Sequence, residues 1–254
     1  MDDYNELGDN IAEWISNYAK EHEVNTLVIG VSGGVDSAVT STLCAKTGIR
    51  TIVLNMPIRQ KNKQINLSNQ HIEWLKSNWK NVESKFVDLT GVYENYSTEL
   101  SSHNFSELAL ANTKARLRMV TLYAFAASNN GIVVGTGNKV EDFGVGFYTK
   151  YGDGGVDISP IADLLKSEVF SLGKSLGIID GILSADPTDG LWDDSRTDEE
   201  QIGASYQELE WAMKELENPN EENYNDRQKE ILELYSNFNS KNSHKMNPIP
   251  IFKK

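Results

Sequence analysis

The sequence predicts an α/β protein in which a doubly wound parallel sheet carries helices on both faces, within a single domain. Short, uniformly apolar runs alternate along the chain with longer segments whose apolar residues recur at helical spacing. Strands that are apolar throughout belong to parallel sheets covered by helices on both sides. A glycine-rich junction follows the first of these strands, and in such sheets ligands bind at the carboxyl ends of strands. We see no internal repeat or domain boundary in the 254 residues.

Periodicity places the individual strands and helices. Short apolar runs predict strands at residues 26–31, 51–54, 82–89 and 132–134. Apolar residues at helical spacing predict helices around residues 11–18, 37–46, 65–79, 105–127, 166–176, 197–213 and 226–238. The longest of them is expected to turn Leu108, Met119 and Leu122 inward. It should end at residues 129–131, because Asn and Gly accept left-handed backbone angles.

Three segments show neither the short apolar runs of strands nor the apolar spacing of helices, and we interpret them as loops. Residues 138–163 are rich in glycine and short polar residues, which is typical of a functional loop. Residues 186–196 are polar and contain Pro187 and Gly190, so we interpret them as a mobile lid. The polar residues after 238 are interpreted as a disordered tail.

Charge and cysteine content exclude several classes of protein. The net charge of −13 argues against general binding to nucleic acid or to an anionic membrane. The single cysteine, Cys44, excludes an internal disulfide and a cysteine-rich metal site, and we expect it to be buried. The amino terminus lacks a secretory layout, and no apolar run approaches membrane-spanning length. We therefore expect a soluble cytoplasmic protein.

The junction after the first strand carries the clearest chemical signal. A strand that breaks at paired glycines and enters a helix lets the backbone approach an anion, and the helix start offers unpaired N–H groups. The lysine of an NTPase P-loop is absent, and so is a G-x-G-x-x-G fingerprint. The junction instead resembles the PP-loop of ATP pyrophosphatases, which split ATP into AMP and pyrophosphate. This glycine loop comprises Gly30, Val31, Ser32, Gly33, Gly34, Val35, Asp36 and Ser37.

Motifs along most of the chain narrow the resemblance to the NAD synthetase family. They are NTKARLRM at 112–119, GTGNK at 135–139, FYTKYGDGGVD at 147–157, PIADLLK at 160–166, TDEE at 197–200 and HK at 244–245. The resemblance implies one NAD synthetase domain over residues 1–254, with an adenine nucleotide alpha hydrolase-like fold. It also implies a ligase that amidates deamido-NAD (nicotinic acid adenine dinucleotide) with ammonia and ATP, the last step of NAD biosynthesis.

This chemistry is consistent with the residues present. A carboxylate does not react with ammonia until its oxygen becomes a good leaving group. In the implied reaction the nicotinate carboxylate attacks the α-phosphorus of ATP, displaces pyrophosphate and forms an acyl-adenylate, which ammonia then cleaves. Negative charge gathers during the first step, so positioning and cations must supply most of the catalysis.

The resemblance assigns residues to ATP, metal and catalysis. Asp36 and Glu141 are implied ligands of Mg²⁺, an apt pair for a hard cation. Besides the glycine loop, Thr136, Lys166 and Thr188 are implied contacts of ATP. The implied catalytic residues are Asp36, Lys166 and Asp153, of which Asp153 would position or deprotonate ammonium.

A second set is implied for deamido-NAD, with the dinucleotide bound across the interface of a homodimer. Arg116 lies on an otherwise apolar helical stretch. Two partners for its guanidinium stay open: a phosphate of the substrate, or a carboxylate in an ordinary salt bridge. The remaining members are Lys150, Asp157, His244 and Lys245.

The chain departs from the family pattern at two places. Between Glu141 and Lys150 it is one residue longer than the common form, so Asp142 is an alternative to Glu141. Residues 193–196 replace a Gly-Gln that often precedes Thr-Asp-Glu in the family, which affects only details of the lid.

Free ammonia is the expected nitrogen donor. Glutamine-using relatives carry an additional domain with a catalytic cysteine, whereas Cys44 lies inside the synthetase fold. Two other functions stay open. One is another PP-loop ligase, GMP-synthetase-like or tRNA-thiolating, and the second is a nucleotide sensor that binds ATP without turnover.

Overall fold

The structure is a computed structural model that describes residues 3–188, 190–192, 196–219 and 223–254. Within these residues, four parallel strands form one sheet. They are β1 (Thr26–Gly30), β2 (Arg50–Asn55), β3 (Val82–Phe86) and β4 (Gly131–Val133). Their order in the sheet is β3-β2-β1-β4. The chain moves from β1 outward to β3 and then crosses to the other side of β1, so the order reverses between β1 and β4. This reversal is the place where sheets of this kind bind ligands.

Helices cover both faces of the sheet, as the sequence predicts. One face buries Leu27 and Ile29 of β1, and the opposite face buries Val28, because successive side chains of a strand alternate. A third apolar cluster, around Val140 and Leu209, lies outside the sheet. The helices are α1 (Tyr4–Glu21), α2 (Val35–Lys46), α3 (Asn62–Asn78), α4 (Thr90–Glu99), α5 (Glu107–Ser128), a π-helix (Lys139–Val145), α6 (Lys166–Ser175), α7 (Asp180–Leu183), α8 (Asp198–Ile202), α9 (Tyr206–Glu217) and α10 (Asp226–Met246).

The predicted helix over 197–213 is wrong as a single element. It is divided into α8 and α9 at Gly203, whose φ of +89° ends α8 in a left-handed cap. Ser205 then begins α9 with a capping box to Glu208. The break matters because it sets the direction of Tyr206, the first residue of α9.

The prediction of a disordered tail is also wrong. Helix α10 continues to Met246, because Asn239 and Asn242 donate hydrogen bonds to backbone carbonyls of the π-helix and hold it in place. His244 and Lys245 therefore lie on an ordered helix. The residues after Asn247 form neither helix nor strand, and Ile251 and Phe252 there are exposed.

Other differences concern elements without a clear period. The helices α4 and α7 and the π-helix were not predicted, and β3 ends at Phe86 rather than at residue 89. On α5, Met119 and Leu122 are buried as predicted, but Leu108 is 58% exposed. Cys44 is buried as expected. In the described part of the chain, none of the helices has the length and apolarity that a membrane crossing requires.

Candidate active site

A cavity of about 240 Å³ lies at the carboxyl ends of β1, β2 and β4. Every residue of the glycine loop except Gly33 lines it. The predicted ATP contacts Thr136 and Thr188 line it as well. Charged groups of the lining include Glu141, Asp142, Lys166, Arg118 and Asp198, which come from helices that converge on this edge, and Asp153, which lies in a turn.

The glycine loop forms an anion cradle at the start of α2. Gly33 has a φ of +91°, and a Cβ there would stand 3.0 Å from the carbonyl oxygen of Gln64. The hydroxyls of Ser32 and Ser37 lie 3.1 Å apart, and Ser37 donates to the Gly34 carbonyl at 3.0 Å. Backbone N–H groups at the first turn of α2 are thus presented beside two hydroxyls, an arrangement suited to phosphate.

A buried lysine joins the two carboxylates that were assigned to metal. Lys166 Nζ lies 2.6 Å from Asp36 Oδ2 and 2.9 Å from Glu141 Oε1. Its side chain is 3% exposed, so both contacts are shielded from solvent. Residues from three separate elements, α2, the π-helix and α6, thus meet at one point of the cavity. Asp36, Glu141 and Lys166 were all predicted site residues, and the structure brings them together.

The cluster holds more negative than positive charge. Burial alone would lower the pKa of Lys166, but Asp36 and Glu141 raise it, and the ammonium stays charged. Burial raises the pKa of Asp36 in spite of Lys166, and the charge of Glu141 adds to the rise. Burial would raise the pKa of Glu141 too, but Lys166 and the Tyr206 hydroxyl bring it below its ordinary value. The cluster therefore favours an added cation.

The π-helix (Lys139–Val145) carries both Glu141 and Asp142, the two alternatives for the metal ligand. Its wider turn accommodates one more residue than an α-helix and is often found at functional sites. Both Glu141 and Asp142 line the cavity, but only Glu141 contacts Lys166. Asp142 instead packs against Gly137, where an added Cβ would collide with its carboxylate. The structure thus favours Glu141 over Asp142 as the partner of Asp36.

The carboxylates of Asp142 and Asp153 approach the cavity from the side of Tyr148. Burial, and then the charges of Glu141, Asp153 and Asp36, raise the pKa of Asp142 well above its usual range. Burial, Asp142 and Asp153 raise the pKa of Tyr148 to about 12. Asp153 itself accepts a hydrogen bond from the Thr149 N–H at 3.0 Å. Asp153 is therefore placed where a small cation in the cavity could reach it.

Three residues of the site were not among the predicted site residues, although Asn138 and Arg118 lie in family motifs of the sequence. Asn138 donates to Asp36 at 3.2 Å, and Tyr206 donates to Glu141 at 2.5 Å. Arg118 lines the cavity from α5 and donates through Nε to the Met56 carbonyl at 3.1 Å. Arg118 belongs to the same motif as Arg116, so the motif could have indicated it. Tyr206 could not be found, because it begins a helix that periodicity had merged with α8.

A sequence model of the NAD synthase family matches residues 7–249. The chain belongs to the NAD synthase family. It is 35% identical over 216 residues to the NH₃-dependent NAD⁺ synthetase of Methanosarcina acetivorans, covering 85% of this chain and 83% of that protein. It is 34% identical over 258 residues to the enzyme of that name from Alkaliphilus metalliredigens, covering 94% and 96%.

Two solved structures of similar proteins confirm the fold. The structure of NMN synthetase from Francisella tularensis has a TM-score of 0.89 with 31% identity, over 100% of both chains. The NH₃-dependent NAD synthetase of Campylobacter jejuni, solved with a nitrate ion, has a TM-score of 0.81 with 25% identity, again over 100% of both. As an NAD synthase the chain is an ATP-using ligase of NAD biosynthesis, and the predicted family and enzyme class are confirmed.

The residues that the resemblance assigns to deamido-NAD lie outside the cavity lining, in two groups. Arg116 donates to the Lys150 carbonyl at 3.3 Å, and Lys150 Nζ donates to the His244 carbonyl at 2.6 Å. Lys245 donates to the carbonyls of Gly146 and Tyr148 on the same side. These four residues form one surface.

Asp157 stands apart from that surface. Its carboxylate accepts from the Val133 N–H at 2.7 Å and from the Tyr123 hydroxyl at 2.9 Å, which ties it to the end of β4 and to α5. Its assignment to the dinucleotide stays a prediction. The predicted lid over 186–196 is only partly described: Thr188 donates to the Arg196 carbonyl at 3.1 Å, whereas residues 189 and 193–195, and the departure noted there, lie outside the described residues.

The donor atoms of this NAD synthase fit a hard divalent cation. Two carboxylates converge within 2.9 Å of a single cationic nitrogen, and all their donor atoms are oxygen, as Mg²⁺ prefers. Among the described residues there is no cluster of three or more His, Cys, Asp or Glu that could hold a metal alone. A Mg²⁺ ion at Asp36 and Glu141 would therefore share its coordination with phosphate oxygens and water, which is usual for sites that bind Mg²⁺ with a nucleotide.

Proposed function

We propose that this NAD synthase catalyses the ATP-dependent amidation of deamido-NAD by ammonia, giving NAD, AMP and pyrophosphate through an acyl-adenylate. The observation that carries the proposal is the Asp36–Lys166–Glu141 cluster beside the glycine loop. A phosphate cradle and a cation-binding carboxylate pair at one end of a parallel sheet are the parts that this reaction needs. The relatives named NH₃-dependent NAD⁺ synthetase support the choice of ammonia.

In the proposed mechanism the glycine loop holds the leaving pyrophosphate. Ser32, Ser37 and the N–H groups of the first turn of α2 bind phosphate oxygens, and Lys166 neutralises charge that develops as pyrophosphate leaves. Mg²⁺, when bound by Asp36 and Glu141, would supply further positive charge to those oxygens. Thr136 and Thr188, which also line the cavity, orient the nucleotide. Pre-arranged charge of this kind lowers the barrier because nothing needs to reorganise during the reaction.

The second step needs ammonia in its neutral form, because ammonium has no free electron pair. Asp153 is the proposed residue that binds ammonium and accepts its proton, and it lies in the cavity lining. Freed of that proton, ammonia attacks the carbonyl carbon of the acyl-adenylate and AMP departs.

The proposed dinucleotide site is completed by a second copy of the chain. Arg116 shares one face of α5 with Leu108, Val120 and Tyr123, which are 58%, 68% and 37% exposed. Apolar side chains on a contiguous exposed face are typical of interfaces. Lys150, His244 and Lys245 border this face, so a dinucleotide bound to them would meet a partner subunit. We propose a homodimer in the cytoplasm, where ATP is regenerated.

A second candidate substrate is nicotinic acid mononucleotide, the acid form of NMN. The observation that favours it is the likeness to the Francisella tularensis structure, whose protein is called an NMN synthetase and which aligns over the whole of both chains. Both substrates present the same nicotinate carboxylate to the α-phosphate of ATP, and they differ in the adenylate half, which would lie on the Arg116 surface.

The assay that tests the function measures NAD, NMN and pyrophosphate from purified protein with ATP, Mg²⁺ and ammonium chloride. Deamido-NAD and nicotinic acid mononucleotide are supplied in separate reactions, and glutamine replaces ammonium in a third. The matched pair of variants is Asp36→Ala, expected to be inactive, and Asp163→Ala, expected to be active because Asp163 is 95% exposed. Pyrophosphate release with neither substrate would contradict the proposal, and binding of ATP without release would favour a sensor.

A further inference from the structure

A buried tyrosine that the proposed chemistry does not use touches the proposed metal carboxylate. The hydroxyl of Tyr206 lies 2.5 Å from Glu141 Oε1. The face of its ring lies under Lys166, whose Nζ is 4.7 Å from the ring centroid. Tyr206 is 7% exposed, so neither contact is shared with bulk water. One side chain thus contacts two of the three charged groups in the cluster.

The direction of the hydrogen bond follows from the number of protons. A phenol carries one hydrogen, and both neighbouring acceptors are carboxylates: Glu141 at 2.5 Å and Asp198 at 3.3 Å. The hydrogen is donated to the nearer oxygen, which belongs to Glu141. A phenol is the one group of the three that carries a hydrogen to donate when both neighbours are carboxylates. Tyr206 is therefore a fixed donor.

This bond selects which oxygen of Glu141 can reach a cation. The bonds from Tyr206 and from Lys166 both fall on Oε1. Neither group bonds to Oε2, which remains the oxygen that can bind a metal. A donor that anchors one carboxylate oxygen fixes the rotamer of the whole side chain, as outer partners of metal ligands do elsewhere.

Tyr206 is itself held by the region next to the predicted lid. Its N–H donates to Glu199 Oε1 at 2.8 Å, and the capping box of Ser205 and Glu208 sets the start of α9. The N–H of Asp198, at the start of α8, donates to the Pro187 carbonyl at 3.1 Å, just before Thr188. The tyrosine thus links the segment that carries the ATP contact Thr188 to Glu141.

We propose that Tyr206 is a positioning residue, which orients Glu141 so that Oε2 faces a divalent cation bound with the nucleotide. This inference rests on the proposed function, because it assumes that Glu141 binds the metal of ATP. It predicts that loss of the hydroxyl weakens metal binding by about tenfold, the lower end of what removal of an outer partner costs.

The test compares Tyr206→Phe with Tyr224→Phe. Tyr224 donates to Glu215 at 2.6 Å, so the control also deletes a hydroxyl that donates to a buried carboxylate, but away from the cavity. Mn²⁺ is titrated into each protein with α,β-methylene ATP present, and free Mn²⁺ is measured by electron paramagnetic resonance. Thermal melts check that each variant is folded, and steady-state assays give kcat and the KM for Mg²⁺.

The expected result is about tenfold weaker Mn²⁺ binding in Tyr206→Phe and wild-type binding in Tyr224→Phe. The KM for Mg²⁺ should rise in Tyr206→Phe while kcat recovers at saturating Mg²⁺. Equal Mn²⁺ affinity in folded Tyr206→Phe and wild type, or equal weakening in both variants, would overturn the inference but leave the proposed function intact. Wild-type protein that binds no Mn²⁺ with the nucleotide would overturn both.

Discussion

At the scale of single residues, the site depends on one buried cation between two carboxylates. Lys166 stabilises the buried carboxylates of Asp36 and Glu141. Without the lysine, their two negative charges would repel each other where little water is present to screen them. Removing one member of a buried ion pair is costly, because the remaining charge has no partner. The lysine is therefore needed for the folded state as well as for the proposed chemistry.

We predict that Lys166→Met lowers the free energy of unfolding by about 3–5 kcal/mol, since two buried carboxylates lose their counter-charge. Urea unfolding measures this loss of free energy. The control is Lys139→Met, which removes an ion pair to the exposed Asp163 and should cost under about 1 kcal/mol. Millimolar Mg²⁺ should restore more stability to Lys166→Met than to wild type. Equal losses in the two variants would contradict the buried cluster.

A second residue prediction concerns stability against pH. His71 is buried, its Nε2 lies 2.9 Å from the Ser41 hydroxyl, and burial lowers its pKa from 6.5 to about 4. The folded protein therefore holds His71 neutral. Its contribution to stability is complete above pH 6.5 and falls by about 3 kcal/mol as the pH drops to 4.

The free energies of unfolding of wild type and His71→Gln, measured from pH 7 to 4, check this. The advantage of wild type over the variant should shrink by about 3 kcal/mol across that range, because glutamine does not titrate. His103→Gln, on the surface, is the control and should run parallel to wild type. A wild-type advantage that stayed constant with pH would show that His71 is not held neutral.

At the scale of elements, the strands and most helices could be predicted because each has a regular apolar period. The uniformly apolar β1 and the glycine loop after it follow from the sequence with no further information. The split between α8 and α9 could not be predicted, since apolar residues at helical spacing continue across Gly203. The exposure of Leu108 could not be predicted either, because its spacing on α5 is the same whether the facing partner is the core or another molecule.

The candidate site was predictable only in part, for a related reason. Residues of the glycine loop are adjacent in sequence, so their chemistry could be recognised as a unit. Glu141 and Lys166 come from distant elements, and only the resemblance to a family placed them with Asp36. Tyr206 belongs to no such motif, and Asn138 lies within the GTGNK motif but had no role assigned to it. The contacts of both residues are visible only once the π-helix and α9 are packed against each other.

The prediction at the scale of elements concerns the glycine loop that joins β1 to α2. Gly33→Ala forces a side chain into a φ of +91° and within 3.0 Å of the Gln64 carbonyl, which costs about 1–3 kcal/mol in stability. ATP affinity should fall as well, because the loop must move to relieve the contact. Calorimetric titration with ATP and urea unfolding measure the two effects.

The control for the cradle is Gly91→Ala on α4, where an added Cβ meets nothing within 4 Å. Alanine there should leave ATP affinity unchanged and raise stability slightly, because it favours the helix. Unchanged ATP affinity in Gly33→Ala would mean that the nucleotide does not bind in the cradle.

At the scale of the whole molecule, the exposed face of α5 is the surface at which the proposed homodimer would form. The chain has a net charge of −13, which keeps copies apart unless an apolar surface brings them together. Leu108, Val120 and Tyr123 supply such a surface beside Arg116, so assembly and substrate binding are expected to be coupled.

We therefore predict that Val120→Glu gives a monomer and raises the KM for deamido-NAD at least tenfold, while leaving ATP affinity of the single chain unchanged. Light scattering coupled to size-exclusion chromatography measures the mass. The control is Leu216→Glu, a 45% exposed position on α9, which should keep the wild-type mass. A wild-type protein that is already monomeric and fully active would contradict the proposed dimer.

The acyl-adenylate is tested most directly with a substrate whose nicotinate carboxylate carries ¹⁸O. If that carboxylate attacks the α-phosphorus of ATP, one labelled oxygen stays with the phosphate when ammonia displaces AMP. Mass spectrometry should then find AMP heavier by one ¹⁸O and pyrophosphate without label. Label in pyrophosphate or in inorganic phosphate, or unlabelled AMP after full amidation, would contradict attack at the innermost phosphate.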